Sequence, residues 1–151
     1  MDRRKFLLVS TAFISLPGLA RPATRDIWSA PDVAEALAEN KILLIDIRSR
    51  EEWSETGLAE GAWPISMHEP RLEKRLIAAR ALAGRKPIAL ICATGGRSGQ
   101  LLRALKRAGY TGYIDVSEGM LGSPLGSGWI ARGLPVVDLE TALNALPVEL
   151  R

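Results

Sequence analysis

Two side chains that often carry chemistry are nearly missing from this sequence. Its 151 residues hold one cysteine, Cys92, and one histidine, His68. A single cysteine excludes an internal disulfide, the usual staple of small exported domains, so stability must come from the core. One cysteine and one histidine would leave a zinc site dependent on carboxylates, outside the usual ligand sets, and no metal or organic cofactor is expected. The eight-residue phosphate-loop pattern ending in Gly-Lys-Ser/Thr is absent, as is any internal repeat. The net charge of +3 owes much to the first residues and does not point to nucleic acid, whose footprint is a clustered basic face, so no nucleic-acid partner is expected.

Part of that charge sits in the first residues, "MDRRKFLLVSTAFISLPGLARPA". A basic head (Arg3, Arg4, Lys5) precedes an apolar stretch from Phe6 to Leu16, too short for a comfortable membrane span. Pro17-Gly18 breaks it, and Gly18-Leu19-Ala20 forms a small-x-small cleavage pattern. Residues 1–20 are therefore expected to be an export signal. "DRRKFL" is similar to the twin-arginine motif, with Leu8 where a lysine is common. The expected location is periplasmic or otherwise exported, by the twin-arginine or general secretory route. A membrane becomes a partner only if this segment stays uncleaved. Its removal leaves a net charge of +1. A linker (21–27), a single domain (28–138) and a C-terminal helical tail (139–151) complete the expected organisation.

Within the domain, hydrophobic patterning alternates between strands and helices. "SAPDVAEALAEN" (29–40) reads as a helix capped by Ser29, with Pro31 in its first turn. "KILLIDI" (41–47) reads as a strand covered on both faces. A helical turn over "SREEWSE" ends at Gly57, and "GAWPIS" is extended around Pro64. A helix over 70–84, a buried strand over 87–91, a helix over 98–109 and a strand over 112–116 follow. Residues 119–128 read as a glycine-rich loop and 138–146 as a short closing helix. This alternation predicts an α/β fold: a small parallel β-sheet flanked by helices on both faces. Trp53, Trp63 and Trp129 are expected in the core or at a pocket rim, and His68 on a surface loop.

The lone thiol lies where such a fold places its ligands, at the carboxyl end of a strand. "CATGGRSGQ" puts Cys92 before a bend whose Gly95 and Gly96 can turn backbone N–H groups inward, making an anion-binding concavity. The helix behind it adds the positive end of its dipole. A helix N-terminus and a neighbouring cation favour the thiolate form of a cysteine, and Arg97 supplies a permanent cation for an anionic substrate. The competing reading is a cysteine that serves as a small buried hydrophobe.

These stretches resemble the rhodanese (sulfurtransferase) family. "LLIDIRSREEWSETG" is similar to its strand-Asp-x-Arg-helix segment, with Asp46, Arg48, Glu51, Glu52 and Trp53 in register. "GLAEGAWPIS" is similar to the extended stretch that follows. "CATGGRSGQLLRAL" is similar to the active-site loop and its helix, and "YIDVSEGM" with "GWIARGLPV" to the closing segment. The resemblance spans about residues 28–137 and implies the rhodanese-like form of the fold expected above.

The resemblance implies an enzyme that moves sulfur in two covalent steps. Cys92 would take a sulfur from an anionic donor such as thiosulfate, carry it as a persulfide, and yield it to cyanide, a thiol or an acceptor protein. Ala93, Thr94, Gly95, Gly96, Arg97 and Ser98 form the loop that would hold substrate and persulfide. Asp46 and Arg48 would brace that loop as an ion pair. Phosphatases and arsenate reductases of the same fold have a loop one residue longer than the four residues between Cys92 and Arg97, so sulfur transfer is the expected chemistry. A rhodanese-fold sulfur carrier or protein-binding module is the alternative. The chain departs from the family pattern in three ways. "GLAEGA" has no histidine, Ala93 stands where a charged residue is common, and "GSPLGSG" lengthens the loop before Trp129.

Overall fold

The structure is a computed structural model that describes residues 26–151. The expected export signal, and all but Asp26 and Ile27 of the expected linker, lie outside the described residues. Five parallel strands form the main sheet in the order β1-β6-β5-β2-β4. They are β1 (Ile27–Trp28), β2 (Leu43–Asp46), β4 (Ala62–Pro64), β5 (Ile88–Ile91) and β6 (Tyr113–Val116). A second, antiparallel ribbon pairs β3 (Leu58–Ala59) with β7 (Val136–Val137). The helices are α1 (Ala30–Ala38), α2 (Arg50–Thr56), α3 (Leu72–Ala83), α4 (Gly96–Arg107) and α5 (Leu139–Ala145). This is the α/β architecture expected from the sequence.

Successive side chains of a strand point to opposite faces, so each central strand feeds two cores. Leu44, Ala89, Ile91, Ile114 and Val116 pack on one side with Val33 of α1 and with Trp129. Ile45, Ile88, Leu90, Cys92 and Tyr113 pack on the other with Leu76 of α3 and Leu102 of α4. Burial on both faces is why β2 and β5 are near-continuous apolar runs. Local capping fixes where the helices start. Ser29 accepts from the Asp32 N–H at α1. Ser49 and Glu52 form a reciprocal capping box at α2.

Three features differ from the expectation. Ile27, assigned to the linker, pairs with Asp115 in β1. Helix α4 begins at Gly96 rather than Ser98, because Gly95 in the left-handed region lets the chain turn directly from the loop into the helix. The segment 139–151 is integral to the domain: α5 is followed by a 3-10 turn, Val148–Leu150, and Leu146 and Leu150 are buried in the second core.

Candidate active site

Cys92 follows the last residue of β5, in the middle of the sheet, and is 1% exposed. Ile91 pairs with Asp46 of β2, and the loop after β6 runs along the other side. There the Met120 N–H donates to the Cys92 carbonyl (2.9 Å) and the Leu121 N–H to the Ala93 carbonyl (2.8 Å). The start of the lengthened 119–128 loop is thus sewn to the cysteine loop. Close approach dictates one residue type: Gly95 has φ +81°, and a Cβ there would lie 2.0 Å from the Ser117 carbonyl oxygen.

This conformation aims donors at the sulfur. The Gly95 N–H points at Sγ at 3.1 Å and the Ser98 N–H at 3.4 Å. The Ser98 hydroxyl lies 3.3 Å from Sγ, where either atom can donate. Thr94 and Gly96 are exposed around the thiol, Ala93 is half-buried, and Ser98 is buried. Cys92 therefore sits inside a ring of polar hydrogens at the start of α4. Such a ring suits a sulfur that carries negative charge.

Arg97, the cation expected for an anionic substrate, is ion-paired within the chain. Its Nη1 donates to Glu52 Oε2 (2.9 Å) and its Nη2 to Glu52 Oε1 (2.5 Å), while Nη1 also lies 3.5 Å from His68 Nε2. The reason is the capping box of α2, which ties the same Glu52 carboxylate to the Ser49 N–H (2.9 Å) and holds it at the loop's rim. The Arg97 guanidinium drives the Glu52 carboxyl down to about 2, against the opposing effect of its partial burial. Glu52 was visible in the sequence as the fourth residue of Ser-x-x-Glu, but nothing local showed that it reaches Arg97.

Asp46 and Arg48 are fully buried and paired, with the Arg48 Nε and Nη2 on the Asp46 carboxylate at 2.8–3.1 Å. Arg48 also donates to Thr56 Oγ1 (2.8 Å) and to the Gly57 carbonyl (2.7 Å). The pair thus locks the end of β2 to the end of α2, the helix that presents Glu52. His68 is exposed beside Arg97, Trp53 and Trp129 are buried, and Trp63 packs against the second core. No cluster of potential metal ligands occurs among the described residues.

A rhodanese-like domain is matched over residues 29–122, which covers the main sheet except β1, together with the cysteine loop and α4. No curated protein matches the chain. Among solved structures, the rhodanese-like domain of an Anabaena protein aligns with a TM-score of 0.60 at 20% identity, over 83% of this chain and 86% of that one. The polysulfide-sulfur transferase homodimer of Wolinella succinogenes aligns with a TM-score of 0.57 at 27% identity, over 76% and 79%. A rhodanese-related protein of Thermoplasma volcanium aligns with a TM-score of 0.52 at 28% identity, over 75% and 97%. The cysteine loop thus lies within the matched segment, and sulfur transfer is a chemistry found among the structural neighbours. By this match, the chain belongs to the rhodanese-like domain family.

Proposed function

We propose that the protein is a sulfurtransferase that carries sulfur as a persulfide on Cys92. The observation that carries this reading is the convergence of the Gly95 N–H, the Ser98 N–H and the Ser98 hydroxyl on Sγ. In the first step the thiolate attacks the outer sulfur of an anionic donor such as thiosulfate. A Cys92–sulfur bond forms, the donor's sulfur–sulfur bond breaks, and sulfite leaves with the electron pair. The new terminal sulfur carries the negative charge, and the loop's N–H groups stabilise it. In the second step cyanide or a thiolate attacks that terminal sulfur and releases the Cys92 thiolate. A protein thiol can fill the acceptor role, because the loop is rimmed by exposed residues such as Thr94 and Leu121. Export of the chain through its N-terminal segment is part of the proposal, and cell fractionation with N-terminal sequencing of the mature protein tests it.

The test of the chemistry is intact mass after incubation with thiosulfate, beside Cys92→Ser. A gain of one sulfur atom that cyanide removes, and that the variant lacks, is the expected result. No gain with thiosulfate or polysulfide would overturn the reading in favour of a protein-binding module.

A further inference from the structure

The lengthened loop after β6 holds two leucines out in solvent. Leu121 is 55% exposed and Leu125 72%. A single leucine on a surface needs no explanation; two on one short loop beside a reactive thiol call for one. The stretch that carries them, 119–126, holds no charged residue. The one charged side chain of the cysteine loop, Arg97, is already paired with Glu52.

Backbone contacts put both leucines beside Cys92. The Leu121 N–H donates to the carbonyl of Ala93, the residue after the nucleophile (2.8 Å). Leu125 belongs to a tight turn in which Ser123 and Gly126 exchange backbone hydrogen bonds (2.8 and 3.1 Å). The Ser123 hydroxyl accepts from the Leu125 N–H (3.1 Å) and donates to the Ser117 carbonyl (3.0 Å). That carbonyl oxygen is the one 2.0 Å from where a Cβ on Gly95 would stand. The turn is therefore braced on the same atom that shapes the cysteine loop. Further along, the buried Glu118 carboxylate holds the Gly128 N–H (2.8 Å). A turn pinned this way loses little further backbone freedom when something binds to it.

We propose that Leu121 and Leu125 form an apolar rim that selects the sulfur acceptor, and that the acceptor is a peptide thiol flanked by apolar side chains. Cys92 is 1% exposed, so an acceptor must bring its own sulfur down to the loop, and its neighbouring residues then lie along the rim. Cyanide or a small hydrophilic thiol has nothing to place there. The peptide's thiolate, its proton given to solvent, attacks the terminal sulfur of the Cys92 persulfide. A bond forms between the two sulfurs, the Cys92–sulfur bond breaks, and its electron pair returns to Cys92 as the thiolate. The peptide leaves as a persulfide. The inference rests on the reading of Cys92 as a persulfide carrier.

The test is the discharge of Cys92 loaded with thiosulfate or polysulfide and freed of donor, followed by intact mass. The acceptors are cyanide, glutathione, and two peptides whose central cysteine is flanked by leucines or by serines. In Leu125→Ser, discharge by the leucine peptide should slow about tenfold, the loss expected when about half of a leucine side chain is denied an apolar contact. Cyanide, glutathione and the serine peptide should keep their wild-type rates. Leu121→Ser should slow the leucine peptide in the same direction, and Leu125→Met, which keeps the apolar bulk, should match the wild type. Equal rates with the leucine peptide in the wild type and Leu125→Ser would overturn the proposal. So would an equal loss with all four acceptors, which marks a displaced cysteine loop. A dimer that Leu125→Ser dissociates, with acceptor rates unchanged, would give the rim to a second copy and overturn it as well. If Cys92 takes up no sulfur, the sulfurtransferase reading fails and the rim is read by protection instead. The leucine peptide with serine in place of its cysteine should slow iodoacetamide alkylation of Cys92 in the wild type and not in Leu125→Ser. The chain has one cysteine, so every alkylation event reports Cys92. Absence of that protection overturns the rim too, so the two failures are distinguishable.

Discussion

Arg97 and Glu52, 45 residues apart in the chain, meet in a two-pronged ion pair at the rim of the Cys92 loop. The cation that faces an incoming anion is therefore shared with a carboxylate already in place. A donor anion must compete with Glu52 for Arg97. Glu52→Gln keeps the hydrogen bond that caps α2, since glutamine also serves in a capping box, and removes the competing charge. The expected outcome is a several-fold lower KM for thiosulfate, whereas Arg97→Ala raises it. Steady-state kinetics of the two variants checks this, and equal KM values in both would remove Arg97 from donor binding.

The same pair sets an acid sensitivity. The Glu52 carboxyl is held at about 2 in the folded protein, against an ordinary value of 4.5. A depressed folded value means that the pair's stabilisation is fully present above about 4.5. It is lost as pH falls from there to about 2. In urea unfolding, the wild type should exceed Glu52→Gln in stability at neutral pH. The gap should close across that window and not on the alkaline side.

Gly95 and Gly96 are adjacent in sequence and opposite in tolerance. A Cβ at Gly95 would sit 2.0 Å from a backbone oxygen with φ at +81°, while one at Gly96 meets nothing within 4 Å. Gly95→Ala should lose at least about 1–2 kcal/mol from the left-handed backbone alone, together with sulfur uptake, because the Gly95 N–H must leave Sγ. Gly96→Ala, in the first turn of α4, should be neutral to slightly stabilising. Thermal unfolding and the intact-mass assay read both.

Much of this arrangement is local and so was legible in the sequence. The apolar runs of β2 and β5, the glycines after Cys92, and the caps at Ser29 and Ser49 each act within a few residues of themselves. What escaped is long-range or too short to have a period. A two-residue strand such as β1 or β7 carries no alternation to detect. The Glu52–Arg97 contact depends on where α2 lands against the loop. Asp115 sat inside a stretch that reads as a strand, and only the folded sheet shows that one of its oxygens is buried with no hydrogen-bond partner among the described residues. The C-terminal segment looked like a tail because its apolar residues, Leu146 and Leu150, bury against α3 and the second core, far away in sequence.

The buried pair Asp46–Arg48 makes an asymmetric prediction. Removing one partner strands a charge that has no access to water, so Asp46→Asn or Arg48→Met should each cost about 3–5 kcal/mol. Removing both with apolar replacements of similar volume should cost much less than the two losses added together. A double-mutant cycle by urea unfolding measures the difference. Additive losses would show that Arg48 is held mainly by Thr56 and Gly57 rather than by Asp46.

Glu118 does for the lengthened loop what Glu52 does for Arg97. Its Oε1 accepts from the Ala30 N–H (2.8 Å), and its Oε2 accepts from the Gly128 N–H (2.8 Å) and the Arg132 Nε (2.7 Å). One buried carboxylate thus ties the start of α1 to both the end of the loop and the segment after it. Burial pushes this carboxyl up, but the Arg132 guanidinium and the two N–H groups outweigh it and hold it below the ordinary carboxylate range. Glu118→Gln turns an amide N–H₂ toward groups that donate, and should cost about 1.5–3 kcal/mol, the worth of a hydrogen bond to a charged group. Hydrogen exchange should then show the Ala30 and Gly128 amides losing protection while the β5 amides keep theirs. Because the folded carboxyl is depressed, the stability gap between wild type and variant is present at neutral pH and narrows as acid protonates Glu118. A gap that persisted unchanged into strong acid would mean that shape rather than charge fastens the loop.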